Sequence, residues 1–203
     1  MDSLLFFGLY TLSFIGGSIW QIRKDIKNFS LENVLQIWNT CKRTIFINIC
    51  IISPIFFYSM HHIIQIKTSI NYITIVEFIF QLIVNLYLYD VQYYWIHKLF
   101  HTDFFQNIHW KSHKLIKQTG FSIFYCSPID FIGLHLLPIY SGLIIMNSHI
   151  ITYIYFSSVE IVLLIQKVNR DFFQFHHKMG KCNYGIDIFM DGYYKTRRSR
   201  KMA

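Results

Sequence analysis

Six histidines stand in three short clusters, His97/His101, His109/His113 and His176/His177. Imidazole is the commonest metal-ligating side chain, and two of the clusters have the i, i+4 spacing that aims both rings from one helix face toward a common point. Each cluster lies just past a long apolar run. The pattern predicts a metal centre at a membrane surface. The carboxylates Asp90, Asp103, Asp130 and Asp171 are available to complete a ligand set, and an acceptor behind each imidazole is needed to fix its tautomer. Asp90, about two turns before His97, is read as such an orienting partner or as a polar group packed between helices. The four cysteines, Cys41, Cys50, Cys126 and Cys182, are scattered with no CxxC spacing, and are expected to be small apolar residues and not disulfides.

The elements that position these residues follow from composition and pattern. Of 203 residues, 53% are hydrophobic and only 15% charged, against about 25% charged in soluble domains. The net charge of +8 forms no amphipathic basic stripe, since Lys and Arg fall in blocks between apolar runs, so nucleic acid is not an expected partner. Runs long enough to cross the bilayer, roughly 20 residues each, occupy Leu4–Gln21, Thr44–Ile66 and Tyr72–Ile96. A fourth, Ile129–Gln166, is about twice that length, with a polar turn at Asn147-Ser148-His149. Backbone groups in lipid must be satisfied internally, so the runs are predicted to be helical despite their β-branched residues. The expected fold is an all-α polytopic membrane protein of four to five transmembrane helices, the last two forming a hairpin, with a histidine-rich helical cap.

Charge then orients it. Of the 19 Lys and Arg residues, all but Lys67 fall on one side of these spans, which predicts a cytosolic C-terminus with all three histidine clusters on the cytosolic side. Leu4 to Trp20 lacks a basic leading region and is followed by Arg23, Lys24 and Lys27, so it reads as a retained anchor. Phe29 to Thr40 reads as a short interfacial helix capped by Ser30, and Pro54 and Pro138 as helix kinks. Residues 1–74 are thus an anchor region with an interfacial helix, and residues 75–203 carry the clusters.

Other ionisable residues are weighed by depth. His61, His62 and His149 fall at the outer face, away from the clusters. His135 lies inside the fourth span, as a neutral hydrogen-bonded imidazole or as an additional ligand. Glu77 and Glu160 raise the same question, and Glu160, in the cytosolic half, is the better candidate. Aromatic residues, 19% of the chain, form an interfacial belt, with some lining a lipid slot.

The order of the clusters adds a resemblance. DVQYYWIHKLFH over residues 90–101, HWKSH over 109–113, and FQFHH over 173–177 followed by Asn183-Tyr184-Gly185 and Met190-Asp191 resemble the histidine boxes of the fatty acid hydroxylase / sterol desaturase superfamily. The similarity extends over about residues 75–198, with Asp90, Tyr94, Trp95, His97 and His101 matching the first box. Departures fall at Lys98, where Arg is usual, and at Ser112, Phe173, Ser127 and Gln166, where the family carries histidine.

The resemblance implies a membrane oxygenase with His97, His101, His109, His113, His176 and His177 as metal ligands, His135 or Gln166 as additional ones, and Asp90 behind them. Its cofactor would be iron, two ions in the family and one or none with this reduced set, and imidazole suits iron or zinc. With O2 as cosubstrate it would hydroxylate or desaturate a fatty acyl or sterol lipid, taking electrons from a donor such as cytochrome b5 and its reductase. A catalytically lapsed relative that binds lipid or a partner is the alternative, for which Ser112, Phe173 and Ser127 speak; a bis-histidine haem protein is a more distant one. The tail Arg200-Lys201-Met202-Ala203 resembles a dilysine-type retrieval signal and agrees with the endoplasmic reticulum.

Overall fold

The structure, a computed structural model, describes residues 2–28, 30–64, 72–115, 119–167, 171–186 and 188–198. All regular elements among them are helices: α1 (Asp2–Asn28), α2 (Leu31–Ile47), α3 (Ser53–Ile64), α4 (Ile75–Phe100), α5 (Gln106–His113), α6 (Pro128–Phe131), α7 (Leu137–Ile145), α8 (Ile150–Lys167), α9 (Asp171–Met179) and α10 (Ile188–Tyr193). Ser30 caps α2 as expected, its Oγ accepting the Asn33 N–H at 3.3 Å. The interfacial helix is not separate, however, because Leu31–Met60 runs on as one helix. No Gly or Pro interrupts Thr40 to Thr44, and the intervening Lys42 and Arg43 are good helix formers. Pro54 and Pro138 are accommodated by π-helical turns just before them, Asn48–Ile52 and Ile132–Leu136, where the wider turn absorbs the missing N–H.

Among the described residues, three helices are long and apolar enough to cross a membrane, Leu31–Met60, Ile75–Phe100 and Pro128–Ile145. The apolar stretch beginning near Ile129 does divide at the polar turn: Asn147 adopts a left-handed φ of 48°, which Asn tolerates, and the Ser148 N–H returns to the Leu143 carbonyl at 3.0 Å. The second limb of that hairpin, Ile150–Ile165, is a shorter apolar helix of roughly 24 Å, below the full hydrocarbon thickness of about 30 Å. α1, which carries the first apolar run, packs along α8 and α3.

Two features position the site. α4 is inverted relative to a soluble helix: Ile75, Val76, Ile79, Phe80, Ile83 and Leu86 are exposed, while Asn85, Asp90, Tyr93, Tyr94 and His97 are buried. That arrangement suits a lipid exterior and a polar interior. Its start is fixed by a reciprocal capping box in which Thr74 and Glu77 exchange hydrogen bonds, so the role of Glu77 is structural. The second feature is a shared aromatic core in which Tyr10 of α1 meets Phe57 of α3, Phe124 and Phe131. α7 approaches α4 closely at Gly142, where a Cβ would stand 2.6 Å from Asn85 Oδ1.

Candidate metal centre

His97 and His101 end α4, His109 and His113 lie on α5, and His176 lies on α9. These five imidazoles converge, each offering a nitrogen within 4.8 Å of all the others. The Nε2 atoms of His97 and His109 are 3.1 Å apart, those of His109 and His113 3.0 Å, and those of His101 and His176 3.1 Å. His97, His109 and His176 are buried.

The opposite nitrogens reveal the tautomers. His97 Nδ1 lies 2.7 Å from the Tyr184 carbonyl, His113 Nδ1 lies 3.3 Å from the His177 carbonyl, and His176 Nδ1 faces the Cys182 carbonyl. Both carboxylate oxygens of Asp130 lie 3.0 Å from His109 Nδ1. Carbonyl and carboxylate oxygens only accept, so each of these Nδ1 atoms donates its proton and each Nε2 is left as a bare lone pair. The His97–His109 and His109–His113 contacts therefore set lone pair against lone pair, and no hydrogen bond between neutral rings satisfies them. Added protons are a poor remedy: burial lowers the imidazoles of His101 and His109 to about 3 and of His113 to about 4, and drives His176 well below the usual range. A metal cation is the group that fits bare nitrogens converging in neutral rings.

The outer acceptors are themselves held. The Asp90 carboxylate accepts the Ile186 N–H at 3.3 Å and the Met190 N–H at 3.1 Å. Asp191 accepts the Tyr184 and Gly185 N–H groups at 2.8 and 2.9 Å. Together they pin the segment whose Tyr184 carbonyl orients His97. Asp130 is aimed by Ser127, the N-cap of α6, whose Oγ accepts the Asp130 N–H at 3.2 Å.

Of the remaining candidates, His177 is near but not among the converging donors; its ring stacks on His113 at 4.4 Å and meets Phe173 at 4.5 Å. His135 is buried against Phe124, 4.9 Å between centroids, and lines a small cavity beside His109. Asp103 is exposed. The side chains of Gln166, Asp171, His61 and His62 and the basic tail at 200–201 lie outside the described residues. His149 sits at the far end of α4, its N–H donated to Gln81, roughly 24 Å along the helix from His97. Glu160 is buried in α8. Sequence reasoning quoted Tyr184 and Asp191 in the resemblance without a role, and missed the carbonyls of Cys182 and Tyr184 as partners of the imidazoles. Asp130 had a legible signal in the Ser127-Pro128-Ile129-Asp130 helix start.

Comparison with known proteins completes the description. No family model and no solved structure matches the chain. A fatty acid hydroxylase, ahd1, of Mycosarcoma maydis is 28% identical over 131 residues, covering 60% of this chain and 34% of that protein. Fatty acid hydroxylase domain-containing protein 2 of Homo sapiens and its namesake of Macaca fascicularis are each 27% identical over 130 residues, 59% of this chain and 39% of theirs. The chain thus spans less than half the length of the curated relatives it matches. Similarity to fatty acid hydroxylases over more than half of its residues thus goes together with a helical fold that gathers five histidines of the three clusters at one end of α4.

Proposed function

We propose that this chain is a metal-dependent membrane oxygenase that hydroxylates or desaturates a fatty acyl or sterol lipid with O2. Electrons come from a separate donor such as cytochrome b5 and its reductase. The observation that carries this reading is the set of bare Nε2 atoms on His97, His109, His113 and His176, joined by His101. Iron bound there would supply the binding and reduction of dioxygen. One oxygen atom enters the lipid in hydroxylation and the other leaves as water, with two electrons and two protons taken up.

The chain's own part is orientation and exclusion of water. Asp130 and the carbonyls of Cys182, Tyr184 and His177 hold the imidazoles in one tautomer. Burial of His97, His109 and His176 keeps solvent from the reacting end. The exposed apolar face of α4 leads from the lipid to its histidine-bearing end, so a lipid reaches the site without entering water. The charge bias supports a cytosolic face for the histidine clusters. Residues 75–203 carry this activity and 1–74 anchor it.

A second reading, a lapsed relative that binds lipid or a partner, is favoured by Phe173, which presents carbon to His177 where the family has a donor. The test is expression in microsomes supplied with NADH and a cytochrome b5 system, followed by mass spectrometry of fatty acyl and sterol lipids. The oxygenase reading expects a lipid with one added oxygen or two fewer hydrogens, dependent on O2 and lost in His101→Ala. Unchanged lipids in cells containing folded, metal-loaded protein would favour the lapsed relative.

A further inference from the structure

Two of the four positions at which family histidines are missing come together in space, and a third stands beside them. Ser112 and Phe173 both line one cavity of about 20 Å³ that also touches His97, His109, Asp130 and His177. Ser127 stands at the N-cap that aims Asp130 into the same corner. The losses are therefore concentrated beside the five converging imidazoles and leave those five intact.

We propose that this chain holds a single metal ion, within His97, His101, His109, His113 and His176, and that the adjoining cavity has lost the capacity for a second. The inference rests on the metal-centre reading above. Its first support is the size of the cluster. Nitrogens about 2.1 Å from one ion lie about 3.0 Å apart at right angles and about 4.2 Å apart across it. The three close contacts, 3.0 and 3.1 Å, are those of neighbouring donors on one ion, and the widest separation, up to 4.8 Å, exceeds the 4.2 Å across such a shell by only about 0.6 Å. Paired ions are usually about 3.5–4 Å apart, and donors divided between them would spread over a longer span.

The second support is what now walls the cavity. Phe173 offers no donor. Ser112 donates its hydroxyl to the His109 carbonyl at 2.7 Å, and both Asp130 oxygens face the His109 N–H. The other two imidazoles on the cavity are His177, stacked against His113, and His135, packed against Phe124. Among the described residues, only the five histidines form a converging group of three or more such donors. Lys167, at the end of α8, adds a positive charge behind two residues of the cavity wall. Its Nζ donates to the Gly185 carbonyl at 2.6 Å and lies 4.7 Å from the Tyr93 ring and 5.6 Å from the Phe173 ring, both of which line the cavity. A neighbouring dication is repelled by that ammonium, and about 20 Å³ gives room for one water.

The test is titration of the full chain, purified in detergent and stripped by chelator, with Co²⁺ under anaerobic conditions. Visible absorption gives the end point, and elemental analysis after desalting gives the count. The inference expects one Co²⁺ per chain in the unaltered protein, one retained in His177→Ala, and binding weakened by more than about tenfold in His101→Ala, since even partners behind a ligand are worth that much. Two Co²⁺ per chain would overturn the inference while leaving the metal centre standing. One ion lost in His177→Ala but retained in His101→Ala would overturn its assigned place. No binding by folded protein would overturn the metal centre itself, and the inference with it.

Discussion

Asp130→Asn isolates the contribution of the carboxylate behind His109. Both Asp130 oxygens stand 3.0 Å from His109 Nδ1, and both side chains are buried, with Asp130 1% and His109 4% exposed. The carboxylate fixes the His109 tautomer and offsets charge brought by the ion. An Asn side chain keeps the shape and one acceptor but loses the negative charge. A charge-assisted hydrogen bond contributes about 1.5–3 kcal/mol and a neutral one about 1 kcal/mol. The difference, about 0.5–2 kcal/mol, corresponds to roughly 2–30-fold in affinity, overlapping the range of about 10–100-fold found for partners behind metal-bound histidines. The assay is competition for Zn²⁺ between the detergent-solubilised protein and a chromophoric chelator, with circular dichroism to establish that both forms are folded. Asp103→Asn, at an exposed site, is the control. Equal affinities for Asp130→Asn and the unaltered protein would refute the argument that Asp130 sets the His109 tautomer.

Three further outcomes are expected. His101→Ala and His176→Ala each lose metal on elemental analysis, whereas His149→Ala, at the other end of α4, retains it. Asp90→Ala leaves two backbone N–H groups in the 186–190 segment without their acceptor, at a cost of about 1–3 kcal/mol each; limited proteolysis should cut that segment faster, with metal affinity falling alongside. The metal-free protein should lose stability on acidification. His101, His109 and His113 titrate at about 3, 3 and 4 when folded but near 6.5 when unfolded, so between those values the unfolded chain binds more protons and each group lowers stability by about 1.4 kcal/mol per pH unit. A thermal midpoint that is lower at pH 5.5 than at pH 7.5 is the expected reading.

Much of the site was legible in local spacing, because helix periodicity alone brings His97 beside His101 and His109 beside His113. Their convergence with His176 from a distant helix followed from topology: charge bias put all three clusters on one side of the same spans. The hairpin at Asn147 was legible because a polar break inside lipid has few other readings. The Leu31–Met60 helix was harder to read, since the charged pair Lys42-Arg43 looks like a boundary although it does not break a helix. The carbonyls behind His97 and His176 were not legible, because backbone acceptors leave no residue-type signature and depend on the fold of residues 182–190. Lys167, one of the basic residues that follow the last apolar run, is buried with its ammonium near the Tyr93 and Phe173 rings, which only packing reveals.

X-ray absorption at the metal edge of the purified, iron-loaded protein tests the central claim most directly. The account predicts a first shell of nitrogen and oxygen near about 2.1 Å, with outer scattering from about five imidazole rings as expected of one ion among His97, His101, His109, His113 and His176. A shell containing sulfur, or one with no imidazole scattering, would contradict it.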